Sequence, residues 1–182
     1  MLLRDVELGD VEAYVRMRCD PVMMAELGGP LPREGIEAKV ARDAGEAARD
    51  TSWIKMIVPD EQRPEVVAGN VVLWRHDAEG ADDAEGSDGS DEENGAHREP
   101  ISEIGWMVLP EFQGRGLGSR AVALLLERAR ADGRWGLVHA YPGATNAASN
   151  GICRKLGFIL VDKQQVEFAG RLLETCHWTI QT

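Results

Sequence analysis

Six consecutive residues, Gln113-Gly114-Arg115-Gly116-Leu117-Gly118, place three glycines at alternate positions between an apolar run and a stretch of helical periodicity. A glycine-rich loop in that position lets backbone N–H groups converge on a phosphate, and the dipole of the following helix favours the negative charge. No Gly-Lys-Ser/Thr closes the loop, so it is not a Walker loop, and Gly114-x-Gly116-x-Gly118 does not match the Rossmann dinucleotide pattern. A pyrophosphate is the most economical ligand. Taken alone, the loop could also be a plain turn joining strand to helix.

The elements around the loop must hold it. Ile101 to Leu109 reads as the strand that feeds it, and Val122, Leu125, Leu126 and Ala129 recur at helical spacing after it, until Gly133 stops the helix. Upstream, Leu2 to Leu8 alternates like a strand, and Asp10 is expected to cap a helix over Val11 to Cys19. Pro32 is placed to start a second helix with Ile36, Val40, Ala44 and Ala47 near one face. Trp53 to Val58 and Val66 to Trp74 are rich in β-branched and aromatic residues and can pair through a turn around Pro59 to Pro64. Downstream, Leu137 to Tyr141 is a strand, Asn146 to Leu156 a short helix, and Phe158 to Phe168 with Leu172 to Ile180 a hairpin across Ala169-Gly170. The expected order is βααβββαβαββ, with no internal repeat.

Composition bounds the function. A chain of 182 residues with 43% hydrophobic content suits one domain. Its apolar runs, such as Ala121 to Leu126, are far below the roughly 20 residues of a membrane span. The early charges Arg4, Asp5 and Glu7 do not suit a signal peptide, so a cytoplasmic location is expected and a membrane partner is not. A net charge of -11 argues against nucleic acid as a partner, because its phosphates call for Lys and Arg. Residues 77–99 hold ten acidic residues and one Arg, leaving only -2 for the rest of the chain. With no large apolar side chain, that stretch reads as a flexible acidic surface insertion in a single domain spanning 1–182. Cys19, Cys153 and Cys176 have no paired metal-ligand spacing, so reduced thiols and no metal site are expected.

Gln113-x-x-Gly116-x-Gly118, preceded by Glu103-Ile104-Gly105-Trp106-Met107-Val108 and Pro110, resembles the acetyl-coenzyme A motif of the GNAT acetyltransferases. Asn146-Ala147-Ala148-Ser149 leading to Arg154-Lys155-Leu156-Gly157-Phe158 is similar to that superfamily's second signature. The resemblance is nearest the ribosomal-protein N-terminal acetyltransferase group. It implies an α/β (α+β) fold with a mixed, mainly antiparallel twisted sheet flanked by helices. The strands Ile101 to Leu109 and Leu137 to Tyr141 should run parallel and splay apart to admit a pantetheine arm.

By the same resemblance, acetyl-coenzyme A is the cofactor and a primary amine, on a small molecule or a peptide N-terminus, the acceptor. A homodimer is left open. Trp106, Met107 and Val108 would offer backbone hydrogen bonds to the pantetheine, and Gln113, Gly114, Arg115, Gly116, Leu117, Gly118 and Ser119 would form the pyrophosphate loop. Asn146 would reach the pantetheine from the facing helix. The Val108 N–H would donate to the thioester oxygen, where negative charge develops.

An attacking amine of pKa about 10 must lose a proton first. Glu103 is the first candidate to take it, directly or through water, Glu99 is the alternative, and a merely solvated Glu103 is an equal reading. Where many members place a tyrosine acid this sequence has Cys153, which leaves Ser149 to hydrogen-bond the coenzyme sulfur. It also keeps alive a rival reading, a catalytically idle coenzyme A sensor. Direct transfer in a ternary complex needs no acyl-enzyme, so Cys153 is not assigned as nucleophile. Met17 to Leu31 falls where the family's acceptor-side segments vary, although methionines on a helix are more often core.

Overall fold

Ile101–Val108 alternates side chains between two buried layers, which is what a strand covered on both faces must do. It is the fourth of seven strands in a computed structural model that describes residues 1–76, 100–168 and 171–182. The strands are β1 (Leu2–Asp5), β2 (Trp53–Val58), β3 (Gly69–His76), β4 (Ile101–Val108), β5 (Leu137–Ala140), β6 (Ile159–Phe168) and β7 (Arg171–Gln181). The helices are α1 (Val11–Arg18), α2 (Ile36–Ala48), α3 (Leu117–Asp132) and α4 (Ala147–Leu156). The element order is the one expected from the sequence.

One sheet in the order β1-β2-β3-β4-β5-β7-β6 organises the molecule, antiparallel except for the pair β4 and β5. Those two strands pair only at Ser102 with Val138 and Glu103 with His139, and β4 then runs on for five residues without its parallel neighbour. The expected parallel splay is therefore present.

Two apolar layers clamp the sheet. On one face Ala121, Val122, Leu125, Leu126 and Ala129 of α3, with Cys153 of α4 and Phe158, meet Leu73, Ile104, Val138 and Trp178. On the other, Tyr14 and Met17 of α1 and Ile36 and Val40 of α2 meet Ile54, Met56 and Met107. The i, i+3, i+4 stripe of α3 is fully buried, as its spacing demands.

Four local expectations change. Asp10 stands at the N-cap position of α1 without capping it; its carboxylate accepts both guanidinium nitrogens of Arg4, at 2.8 and 2.6 Å, and the Glu7 N–H. The bidentate guanidinium pair, with the Glu7 N–H, occupies both oxygens that a cap on α1 would use. Pro32 does not start α2, which begins at Ile36 behind Gly35 at φ 123°, a conformation that suits glycine. Strand β1 ends at Asp5, and β3 begins at Gly69 rather than Val66. The acidic stretch 77–99, Glu99 within it, and the turn Ala169-Gly170 lie outside the described residues.

Candidate active site

The open edge of β4 is built by strand parity. Leu109 donates its N–H to Ala68 on the β3 side at 2.8 Å, and successive N–H groups of a strand point to opposite edges. The N–H groups of Trp106 and Val108 therefore point into the splay, where β5 no longer pairs. The Val108 carbonyl faces the same way and accepts the Gln113 side-chain amide at 2.8 Å, which fastens the start of the loop to the end of the strand.

Beyond that clasp the loop becomes a cradle. Gly114 and Gly116 hold φ of 71° and 72°, a left-handed conformation other residues adopt at a cost, and no atom lies within 4 Å of where their β-carbons would stand. Gly116 is the N-cap of α3 and offers no side chain to cap it. The first N–H to find a backbone carbonyl is that of Arg120, on Gly116 at 3.1 Å; those of Gly114 through Ser119 donate to no backbone carbonyl among the described residues. Unspent donors at a helix start, with open space before them, fit a pyrophosphate. Gly118 serves packing instead: a β-carbon there would stand 3.1 Å from Ile152 and 3.3 Å from Val108, so its absence lets α3, α4 and β4 converge.

The second signature divides between chemistry and architecture. Asn146 caps α4, its side-chain oxygen accepting the Ser149 N–H at 3.0 Å, while the Ser149 hydroxyl has no protein partner among the described residues. Gly157 ends the helix at φ 82°, and Phe158 closes the turn on the Cys153 carbonyl at 3.0 Å with its ring buried. Burial pushes the Cys153 thiol up to about 12, which suits a core residue rather than a nucleophile.

At the apex of the splay stands a polar cluster on the sheet face opposite α3. Glu103 and His139 are the last cross-paired residues of the parallel ladder. The Glu103 carboxylate lies 2.9 Å from His76 Nε2. His139 Nδ1 lies 2.8 Å from His177 Nε2 and 3.4 Å from the Tyr141 hydroxyl. The three rings stack, with centroids 5.0 Å apart for His139 and His177 and 4.7 Å for Tyr141 and His177. Burial first, then the charges of His177 and His76, lower the pKa of His139, so it is a neutral imidazole at neutral pH. Burial, and then the carboxylates Glu103 and Asp162, push the Tyr141 phenol up to about 12.

Residues 1–159 match the acetyltransferase (GNAT) domain. The chain belongs to the GNAT acetyltransferase family. None of the curated proteins matches it significantly in sequence. Its fold is shared with a ribosomal-protein-alanine N-acetyltransferase from Brucella melitensis, at 20% identity and a TM-score of 0.69 over 100% of both chains. The structure of yncA from Salmonella typhimurium with its cofactor acetyl-coenzyme A superposes with a TM-score of 0.66 at 19% identity, covering 99% of this chain and 92% of that one. RimL, a ribosomal alpha-N-protein acetyltransferase solved with coenzyme A, does so with a TM-score of 0.72 at 14% identity over 98% and 92%.

Within this GNAT fold the residues expected from the sequence come together in two groups. Trp106, Met107 and Val108 run directly into the loop from Gln113 to Ser119, and Asn146 and Ser149 open α4, which packs beside the start of α3 through Ile152. Glu103 stands apart from that loop, at the apex. His139, Tyr141, His177 and Asn150 join the site without having been expected from the sequence. Parity could have found the first three: Val138, Ala140, Cys176 and Trp178 are core residues, so the polar side chains between them must share the other face. Asn150 gave no signal, yet its buried amide donates to the carbonyls of Gly143 and Asn146 and accepts from Trp178 Nε1.

Proposed function

We propose that this protein transfers the acetyl group of acetyl-coenzyme A to a primary amine, on a small molecule or a protein N-terminus, by direct attack in a ternary complex. The observation that carries this reading is the continuity of one donor surface. The free N–H groups of Trp106 and Val108 on the open edge of β4 lead straight to the unspent N–H groups of Gly114 through Ser119. That surface has the shape of a pantetheine arm ending in a pyrophosphate, and the bound thioester would supply the activated acetyl group.

The chain's own residues then have distinct work. Val108 N–H is the donor for the thioester oxygen as charge builds there. Asn146 holds the first turn of α4 so that the free Ser149 hydroxyl can face the coenzyme sulfur. Coenzyme A is a fair leaving group, its thiol resembling cysteine with a pKa near ~8.5, so a strong acid is not required. Glu103 is the carboxylate that meets the incoming ammonium, and the proton leaves by it, directly or through water, or by the imidazole of His139 beside it. Met17 and Met24 of the acceptor-side segment are buried core, but Glu26 reaches across to accept the Thr145 hydroxyl at 2.8 Å, placing that segment over the loop between β5 and α4.

Calorimetry with acetyl-coenzyme A, followed by thiol release over a panel of polyamines, aminosugars and serine- or alanine-initiated peptides, tests the proposal. Binding together with acceptor-dependent release is expected. Binding without release across the panel would make the protein an idle coenzyme A sensor.

A further inference from the structure

We propose that His139 is the base that takes the proton from the acceptor amine, held in its reactive tautomer by His177 and, behind it, Asp162. The inference rests on the acetyltransferase reading and names the group that reading leaves open. Its starting point is the 2.8 Å contact between His139 Nδ1 and His177 Nε2. Two ring nitrogens at that distance share one proton, so one ring donates and the other accepts.

Which ring donates is decided one strand further out. His177 Nδ1 lies 3.6 Å from the Asp162 carboxylate on β6. A carboxylate on that side favours a proton on His177 Nδ1, which leaves its Nε2 bare to accept. His139 must then carry its proton on Nδ1, and its Nε2 keeps a lone pair with no protein partner among the described residues. This is the orienting logic of a base fixed through its second nitrogen, with no need for the carboxylate to become protonated.

Position and charge fit the task. His139 is the last residue of β5 paired to β4, so it stands where the splay opens. The groups facing it are His177 from β7, Tyr141 from its own strand's end, Glu103 from β4 and His76 from β3, with Asp162 behind His177. Its lowered pKa keeps it unprotonated and ready at neutral pH. In the transfer the amine N–H bond breaks and a His139 Nε2–H bond forms, while the nitrogen lone pair attacks the thioester carbonyl and its π pair moves to the oxygen held by the Val108 N–H; that pair then returns, the C–S bond breaks, and coenzyme A leaves as the thiolate. The imidazolium keeps its Nδ1–H on the His177 lone pair and returns its Nε2 proton to water. Glu103, already bonded to His76, then serves as the counter-charge that holds the ammonium.

Long-range proton–nitrogen correlation spectra of the imidazoles in the free protein at pH 7.5 test the tautomers without any acceptor. Protonated Nδ1 and bare Nε2 on His139 are expected, and the opposite tautomer would overturn the proposal. Transfer assays with serine- and alanine-initiated peptides test the role. His139→Ala should lower kcat by about 10²-fold with acetyl-coenzyme A affinity unchanged, and a kcat within twofold of the parent overturns it. His177→Phe keeps the stack but removes the acceptor and should cost about tenfold, while His177→Gln, which can still accept, should recover most of that. Equal losses in both His177 variants would reduce His177 to packing. Absence of transfer from the parent protein itself would instead fail the acetyltransferase reading, and the spectra would still decide the tautomer.

Discussion

Gly69 and Met107 approach so closely that a β-carbon on Gly69 would stand 2.0 Å from the Met107 carbonyl oxygen. Gly69 also holds φ of 154°, and it pairs with Val108, the residue whose N–H faces the splay. Gly69→Ala should therefore cost about 3 kcal/mol of stability and push the Met107-Val108 segment of β4 outward. Acetyl-coenzyme A affinity should fall with it. Val67→Ala, a cavity in a neighbouring buried site, is the control: about 2 kcal/mol lost in chemical denaturation with affinity retained.

Gly116→Asp separates the cradle from the fold. No atom lies within 4 Å of the new β-carbon, and a carboxylate at a helix N-cap favours the dipole, so the left-handed φ should cost only about 1 kcal/mol. The same carboxylate would occupy the approach to the pyrophosphate. Calorimetry should show acetyl-coenzyme A affinity reduced at least about tenfold, with Gly116→Ala much less affected. Equal affinity in a folded Gly116→Asp variant would remove the cofactor assignment.

What could be read from the sequence follows from how local each determinant is. The α3 stripe, the glycine loop and the stop at Gly133 are set by residues within one or two turns, and they stand where expected. Asp10 departs from the expected cap because its partner, Arg4, sits on β1, outside any helix-cap pattern. The cluster of His76, Glu103, His139, Tyr141 and His177 draws on four strands, so it becomes visible only once the strand order and register exist. Asn150 is the extreme case, a polar residue in a helix whose three partners are two carbonyls of the preceding loop and a ring on β7.

Asn150→Ala should be among the more damaging substitutions. It would leave the buried Trp178 Nε1 unpaired and release the loop that carries Asn146, at a cost of about 2 to 3 kcal/mol. Asn150→Asp keeps the acceptor for Trp178 but loses both donors. Thermal melts should rank the parent, Asn150→Asp and Asn150→Ala in falling order, and both variants should bind acetyl-coenzyme A more weakly than their stability alone explains. A reversed ranking would mean that the loop, not Trp178, dominates.

Glu103→Gln distinguishes holding an ammonium from taking its proton. If Glu103 is the counter-charge, the substitution should raise the acceptor KM more than it lowers kcat, and added salt should shrink the difference by screening the parent. The penalty should also fade as pH approaches the amine's own pKa, where free amine is plentiful. A kcat loss as large as that of His139→Ala would make Glu103 the base.

His139 also ties stability to pH. The pKa of His139 in the folded protein lies below its ordinary value of 6.5. Between the two values the unfolded chain binds more protons than the native state, so stability rises with pH through that window. The contribution is complete above 6.5, and it is lost as pH falls through the folded value. His139→Phe keeps an aromatic ring beside His177 and Tyr141 but cannot titrate. The stability of the parent relative to His139→Phe, measured by urea denaturation, should therefore be greatest above pH 6.5 and decline below it. Carboxylates that titrate at lower pH are common to both proteins and drop out of the difference. A difference that stays flat across the window would show that His139 titrates as it does in the unfolded chain, and would leave its neutrality at the apex without a cause.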